Sequence, residues 1–256
     1  MYKKVVIKIG TSSLTHATGM INLKSIINLV RVVADIHNMG TEVIIVTSGA
    51  VGVGLPRLGL TGDSLTTLEK QAAAAIGQSE LMTIYAENFQ HYGKTVAQLL
   101  LTRDVIELPD FKHNAENTFT TLLSHHVIPI VNENDSIAVE ELGVGDNDTL
   151  SAYVAKLVGA DLLILLTDID GLYDKDPREN PNATLIHEVS EITDEIYHAA
   201  GGEGSVRGTG GMVTKLAAAK IANSVGIDMI IAKSDPDILY DIAEGKQVGT
   251  RFIGKK

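Results

Sequence analysis

Residues 127–168 read VIPIVNENDSIAVEELGVGDNDTLSAYVAKLVGADLLILLTD. Two β-rich apolar runs, 127 to 134 and 161 to 168, bracket a helix-length amphipathic segment over 148 to 159. Both runs are too continuously apolar for a half-exposed strand and fit strands buried on both faces. The connection between the first run and the helix carries two tight polar clusters, NEND at 132–135 and GDND at 145–148. Clusters so compact ask for a purpose beyond solvation.

The same alternation extends outward in both directions. Further strand-like runs are KVVIKIG (4–10), EVIIVTSG (42–49), TVAQLLLT (95–102) and DMIIA (228–232). Between them, Leu23, Ile26, Ile27, Val30, Val33, Ala34 and Ile36 recur at helical spacing within 22–39, and similar patterns cover about 64–91, 112–126 and 212–225. Strand, helix, strand repeated this often predicts an α/β fold, a three-layer α/β/α sandwich around a mostly parallel sheet. With 256 residues the chain suits one large domain, 1–256, better than two small ones. The Pro-containing DKDPRENPN (174–182) reads as a surface turn, not a linker. In such sheets ligands bind beyond the carboxyl ends of the strands. Here those ends are GTSSLT, TSGAVGVG, LTRD, NENDS and TDIDGLYDKDP, all polar or glycine-rich.

Composition narrows the chemistry. The chain has no cysteine, which excludes disulfides, thiolate metal sites and cysteine nucleophiles. A formal charge of −11 argues against a nucleic-acid binder, so an anionic substrate must meet local positive charge. Mean hydropathy is +0.14 with no apolar run of about 18 residues, and MYKKVVIKIG lacks the features of a signal peptide, so a cytoplasmic location is expected. The eight histidines show no ligand spacing such as H-E-x-x-H.

Three stretches point to anion binding. Lys8 sits inside an otherwise apolar strand, where an ammonium is costly unless an anion meets it. A lone strand lysine ordinarily snorkels from an edge. The following Gly-Thr-Ser shifts the balance, because a small residue lets backbone N–H groups approach a phosphate. IIVTSGAVGVG runs from a strand through Ser48 and Gly49 into a helix start, which serves equally as a packed turn or as an anion site. Position 57 is Arg, so this is no G-x-G-x-x-G fingerprint. In GSVRGTGGMVTKLAAAKIA (204–222), Lys215 lies near the first turn of an Ala-rich helix, where the dipole disfavours a cation unless an anion offsets it. The spacing departs from G-x-x-x-x-G-K-[ST], leaving a phosphate loop of another kind or a hinge. The turn after LLILLTD satisfies no EF-hand pattern, and either binds a nucleotide edge or is held by its own Asp side chains. Two lysines, glycine-rich anion sites and an acidic cluster together suit phosphoryl transfer.

VVIKIGTSSL, IVTSGAVGVG, AAIGQSELM, AQLLLTRDV, PIVNENDSIA, GDNDTLSA, LLTDIDGLYDKDPR and GTGGMVTK stand in the order found in glutamate 5-kinases, which the whole chain resembles, within the amino acid kinase family. KIG and GTGGMVTK are shared with relatives acting on aspartate, acetylglutamate, carbamate or uridylate, whereas NEND with VGDND resembles the glutamate 5-kinases in particular. Many members continue into an accessory PUA domain; this sequence stops at GTRFIGKK. The resemblance implies that Lys8 and Lys215 neutralise the transferring phosphoryl group and that Asp148 orients them. Ser48, Gly49, Asp135 and Asn147 would take glutamate. ATP would meet Lys8, Gly10, Thr167, Asp168 and the loop Thr209, Gly210, Gly211, Met212, Val213, Thr214 and Lys215. The N-terminal half would hold mainly glutamate and the C-terminal half mainly ATP, with Mg²⁺ carried by ATP and no protein metal site. Residues SIAVEELGV (136–144) would form a substrate lid. A glutamyl phosphate reductase partner, proline feedback and homo-oligomers are further family expectations. The alternatives are a kinase of another specificity in this family or a non-catalytic amino-acid or nucleotide sensor.

Overall fold

The computed structural model describes residues 2–16, 18–60, 65–137, 147–200 and 211–255. In chain order these form β1 (Lys4–Ile9), α1 (Thr11–Leu14), α2 (Leu23–Asn38), β2 (Glu42–Val46), α3 (Ala50–Gly54), α4 (Thr67–Gln90) and β3 (Val96–Leu101). They continue with α5 (Arg103–Glu107), α6 (Pro109–Ser124), β4 (Ile128–Glu133), α7 (Asn147–Val158), β5 (Leu162–Thr167) and β6 (Glu188–Val189). The series ends with α8 (Asp194–Ala199), α9 (Met212–Asn223), β7 (Asp228–Lys233), α10 (Ile238–Ala243) and β8 (Thr250–Phe252).

The long strands follow from β-branched or leucine-rich runs, and all but β3, where Gln98 is exposed, lose water along nearly their whole length. All six residues of β5 are buried, as are Ile128 to Asn132 of β4. The helices begin where side chains satisfy orphan N–H groups. Asn22 accepts from Ser25 N–H at 3.1 Å to start α2. Thr66 and Glu69 cap each other's backbone at the start of α4. Pro109, with φ pre-set, opens α6.

The chain divides into two units, Met1–Lys8 with Asp148–Lys256, and Ile9–Asn147. In the second unit the strands run β3-β4-β2, all parallel, with Ile45 opposite Ile130 and Leu99 opposite Val131. Helices α2, α4 and α6 cover them with apolar faces, among them Leu29 and Val33, Leu81 and Phe89, and Phe119 and Leu123. In the first unit the order is β1-β5-β7-β8-β6; β5 and β7 are parallel, and β8 runs antiparallel to β7 and parallel to β6. Helix α9 lies on this sheet through Leu216, Ala218, Ala219 and Ala222. The predicted strands and long helices are therefore present within a few residues of their expected bounds. The segment 174–182 is a turn held by Asp176, which accepts from Arg178 N–H at 2.9 Å. Among the described residues no helix is long and apolar enough to cross a membrane.

Candidate active site

In the first unit, three charged side chains from β1, α7 and α9 meet. Asp148 is fully buried. Its Oδ1 lies 2.6 Å from Lys8 Nζ and its Oδ2 3.0 Å from Lys215 Nζ. Lys8 and Lys215 are themselves 6% and 7% exposed, so neither ammonium is solvated freely. Each element has a local reason to deliver its group. Strand β1 carries Lys8 one residue before its end. Helix α7 places Asp148 in its first turn, where the helix dipole favours a carboxylate. Helix α9 starts at Gly211, whose φ of 109° suits glycine, and Lys215 folds back to donate to the Gly211 carbonyl at 3.1 Å. The Thr214 hydroxyl has one proton, within reach of both the Gly211 carbonyl at 2.9 Å and Asp148 Oδ2 at 3.1 Å.

Two buried ammoniums thus share one buried carboxylate, an arrangement whose chemistry suits an anion with several oxygens. At the carboxyl end of β5 in the same unit, buried Thr167 donates to the Oδ1 of exposed Asp168 at 3.0 Å. Met212 and Val213 open α9, half-buried. Thr209 and Gly210 lie outside the described residues, as do positions 138–144 of the expected lid.

The second unit gathers a different chemistry. Asn147 Nδ2 lies 2.5 Å from the Thr47 carbonyl, 3.0 Å from Ser48 Oγ and 2.7 Å from Asn132 Oδ1. Ser48 and Asn147, paired in the sequence reading, are thus joined directly. Gly49 follows with φ 92°, and a Cβ there would stand 3.4 Å from the Thr11 methyl, so the turn into α3 is left-handed and tight. Gly10 precedes α1 with an extended backbone. Asp135 lies half-buried in the turn after β4, and burial raises its pKa above the ordinary value. Glu133 is raised as well, first by burial and then by the charge of Asp135. Asn132, Thr47, Gln78 and Tyr85 complete this cluster, and the sequence reading singled out none of them as functional. The Thr47 hydroxyl meets Tyr85 Oη at 3.2 Å, and burial pushes the Tyr85 hydroxyl to about 12. Their signal was helical spacing, since Gln78 and Tyr85 fall on the buried face of α4 with Ala74 and Leu81.

Among the described residues, no group of His, Asp and Glu could hold a metal ion. Asp148 has an ammonium on each oxygen.

A mostly parallel α/β chain with a buried lysine–aspartate–lysine cluster has the chemistry suited to enzymes that move anionic groups. This chain belongs to the amino acid kinase family, which it matches over residues 3–233. Among its relatives is a glutamate 5-kinase of Clostridium perfringens, 56% identical over 259 aligned residues that span 99% of this chain and 96% of that protein. A glutamate 5-kinase of Clostridium tetani is 52% identical, covering 98% and 94%. The fold is shared with a carbamate kinase from Giardia lamblia bound to AMP-PNP, at a TM-score of 0.71 and 19% identity over 99% of both chains.

Proposed function

We propose that the chain is an ATP-dependent glutamate 5-kinase, which forms L-glutamyl 5-phosphate in the first step of proline biosynthesis. The observation that carries this reading is the buried Lys8–Asp148–Lys215 cluster, in a chain 56% identical to a glutamate 5-kinase.

The γ-carboxylate of glutamate, with a pKa of about 4.3, is ionised at neutral pH and needs no general base. One of its oxygens attacks the γ-phosphorus, the bond to the β,γ-bridging oxygen breaks, and ADP leaves as an anion. Catalysis then reduces to alignment and neutralisation of charge on the transferring group. Lys8 and Lys215 supply that charge. Asp148 holds both ammoniums in place and, with each oxygen engaged, acts as organiser instead of base. The backbone N–H groups of Gly10 and Gly49 support the phosphoryl oxygens. Thr167, Asp168 and the Gly211–Lys215 turn, with Thr209 and Gly210, hold the nucleotide, and Mg²⁺ arrives on its phosphates. Ser48, Gly49, Asp135 and Asn147 hold glutamate. The labour divides accordingly, with residues 9–147 taking mainly the amino acid and residues 148–256 with 1–8 mainly the nucleotide. The acyl phosphate product is labile, so a reductase of glutamyl phosphate is the expected consumer. Proline inhibition at the glutamate site and self-association complete the proposal.

The test is to incubate the protein with Mg·ATP, L-glutamate and hydroxylamine. The γ-hydroxamate and ADP are expected in equal amounts, and aspartate, N-acetylglutamate and carbamate should give far less turnover. Nucleotide binding with no hydroxamate would overturn the reading.

A further inference from the structure

We infer that Gln78 is a positioning residue for the glutamate site, fixing the polarity of a chain of side-chain amides that runs from Gln78 through Asn132 to Asn147. The inference rests on the glutamate reading above.

Gln78 is 7% exposed and lies on the inner face of α4. Its Oε1 accepts from Asn132 Nδ2 at 2.8 Å. That contact commits the donor end of Asn132, so its Oδ1 faces the other way and accepts from Glu133 N–H at 2.9 Å and from Asn147 Nδ2 at 2.7 Å. The Asn147 amide group also has the Thr47 carbonyl and Ser48 Oγ in range. Two hydrogens facing three protein acceptors are fully used. What Asn147 has left for a ligand is Oδ1, an acceptor only, which suits the α-ammonium of an amino acid and repels a carboxylate. Without the Gln78 acceptor, Asn132 is free to turn over and present its amino group to Asn147, whose own amide must then turn and offer N–H to the ammonium. Gln78 thus acts on substrate without touching it. The Glu133 N–H also holds Asn132, so the expected loss is moderate.

Gln78 Nε2 has no hydrogen-bond partner among the described residues, so replacing that half of the amide removes no described hydrogen bond. This makes Gln78→Glu the informative control. A buried carboxyl takes up a proton readily, and in either state it keeps an oxygen able to accept from Asn132. Gln78→Met keeps the length and volume but removes the acceptor.

The experiment is steady-state hydroxamate and ADP formation by the full chain and by the two variants. Glutarate, which lacks the α-ammonium, serves as competitive inhibitor. Q78M is expected to raise the KM for glutamate about tenfold. Its KM for ATP, its kcat and its glutarate inhibition should stay within about twofold, and Q78E should match the wild type. A purely structural role would lower thermal stability without this split. The assignment is overturned if a folded Q78M keeps the wild-type KM for glutamate, if glutarate weakens as much as glutamate, or if Q78E itself raises the KM for glutamate well above the wild-type value. The last outcome is decisive even where Q78M fails to fold. A wild-type chain that makes no hydroxamate overturns the functional reading instead, while an active wild type with an unchanged Q78M overturns only the role of Gln78.

Discussion

At the scale of single residues, the two clusters differ in what they stabilise, and kinetics should separate them. In the proposed reaction Lys215 meets the charge that develops during transfer, so Lys215→Ala is expected to lower kcat by about 10² to 10³ with a small change in the KM for glutamate. In the same proposal Asp135 offers a charge to the substrate ammonium in ground and transition states alike. Asp135→Ala is therefore expected to raise the glutamate KM by about 10- to 100-fold with kcat largely kept. Interchanged patterns would mean that the two sites are swapped. Asp135 also carries a pH signature. Its folded pKa is raised by burial above the ordinary 3.8, so between 3.8 and the raised value the native state holds a proton that the unfolded chain has lost. The stability it contributes falls as pH rises through that window, and glutamate, by supplying an ammonium, offsets the loss. The complementary effect on binding is a glutamate KM that climbs as pH falls toward the raised value, earlier than an ordinary carboxylate would allow. The substrate carboxylate titrates in both proteins, so the difference between the wild-type profile and that of Asp135→Asn isolates Asp135. Coincident profiles would count against it. Removing the carboxylate of Asp148 leaves two buried ammoniums facing each other. Asp148→Ala should cost about 3 to 5 kcal/mol in urea unfolding, with part regained on adding phosphate. A variant as stable as the wild type would mean that the lysines are not charged as a pair.

At the scale of elements, helix α3 is short and owes its place to α4. A Cβ on Gly54 would come within 1.8 Å of the Ala73 carbonyl oxygen, and one on Gly77 within 1.9 Å of that of Ala50. The two backbones touch, and Ser48 and Gly49 are fixed because the helix that follows them cannot shift. Gly77→Ala is expected to lower stability by about 1 to 3 kcal/mol and to raise the glutamate KM, read by urea unfolding and by initial rates. A neutral substitution would show that α3 is free to move. Such contacts explain which parts were legible in the sequence. Strands β1, β2, β3, β4, β5 and β7 each carry five or six residues, long enough for apolar runs to declare themselves. Strands β6 and β8 have two and three residues, and α1, α3, α5, α8 and α10 have four to six, too few to show a period. The Lys8 strand reads ambiguously until Asp148, far along the chain, supplies the partner that makes burial tolerable. Ser48 and Asp135 stand out as polar groups just past strand ends and Asn147 at the start of α7, and the family resemblance marks all three. Gln78 and Asn132 meet across 54 positions, and no local pattern encodes that pairing.

At the scale of the whole molecule, the division into residues 9–147 and residues 1–8 with 148–256 makes the proposed allocation of substrates measurable. A ligand stabilises what it binds by RT ln(1 + [L]/Kd), about 2.7 kcal/mol at a hundredfold excess over Kd. Amide exchange in the segments that form its site should slow accordingly. With a non-hydrolysable ATP analogue alone, protection is expected in peptides covering β1, the Thr167–Asp168 turn and the start of α9. With glutamate alone, it is expected around Thr47 to Gly54, around Asn132 to Asp135, and on the face of α4 that carries Gln78 and Tyr85. The net charge of −11 sharpens the contrast, because an anionic nucleotide gains nothing from the general field and must be held by the local charges of Lys8 and Lys215. Nucleotide protection should therefore weaken sharply in Lys8→Ala while glutamate protection is unchanged. Protection by glutamate confined to residues 148–256, or loss of both patterns in the lysine variant, would assign the substrates to the wrong units.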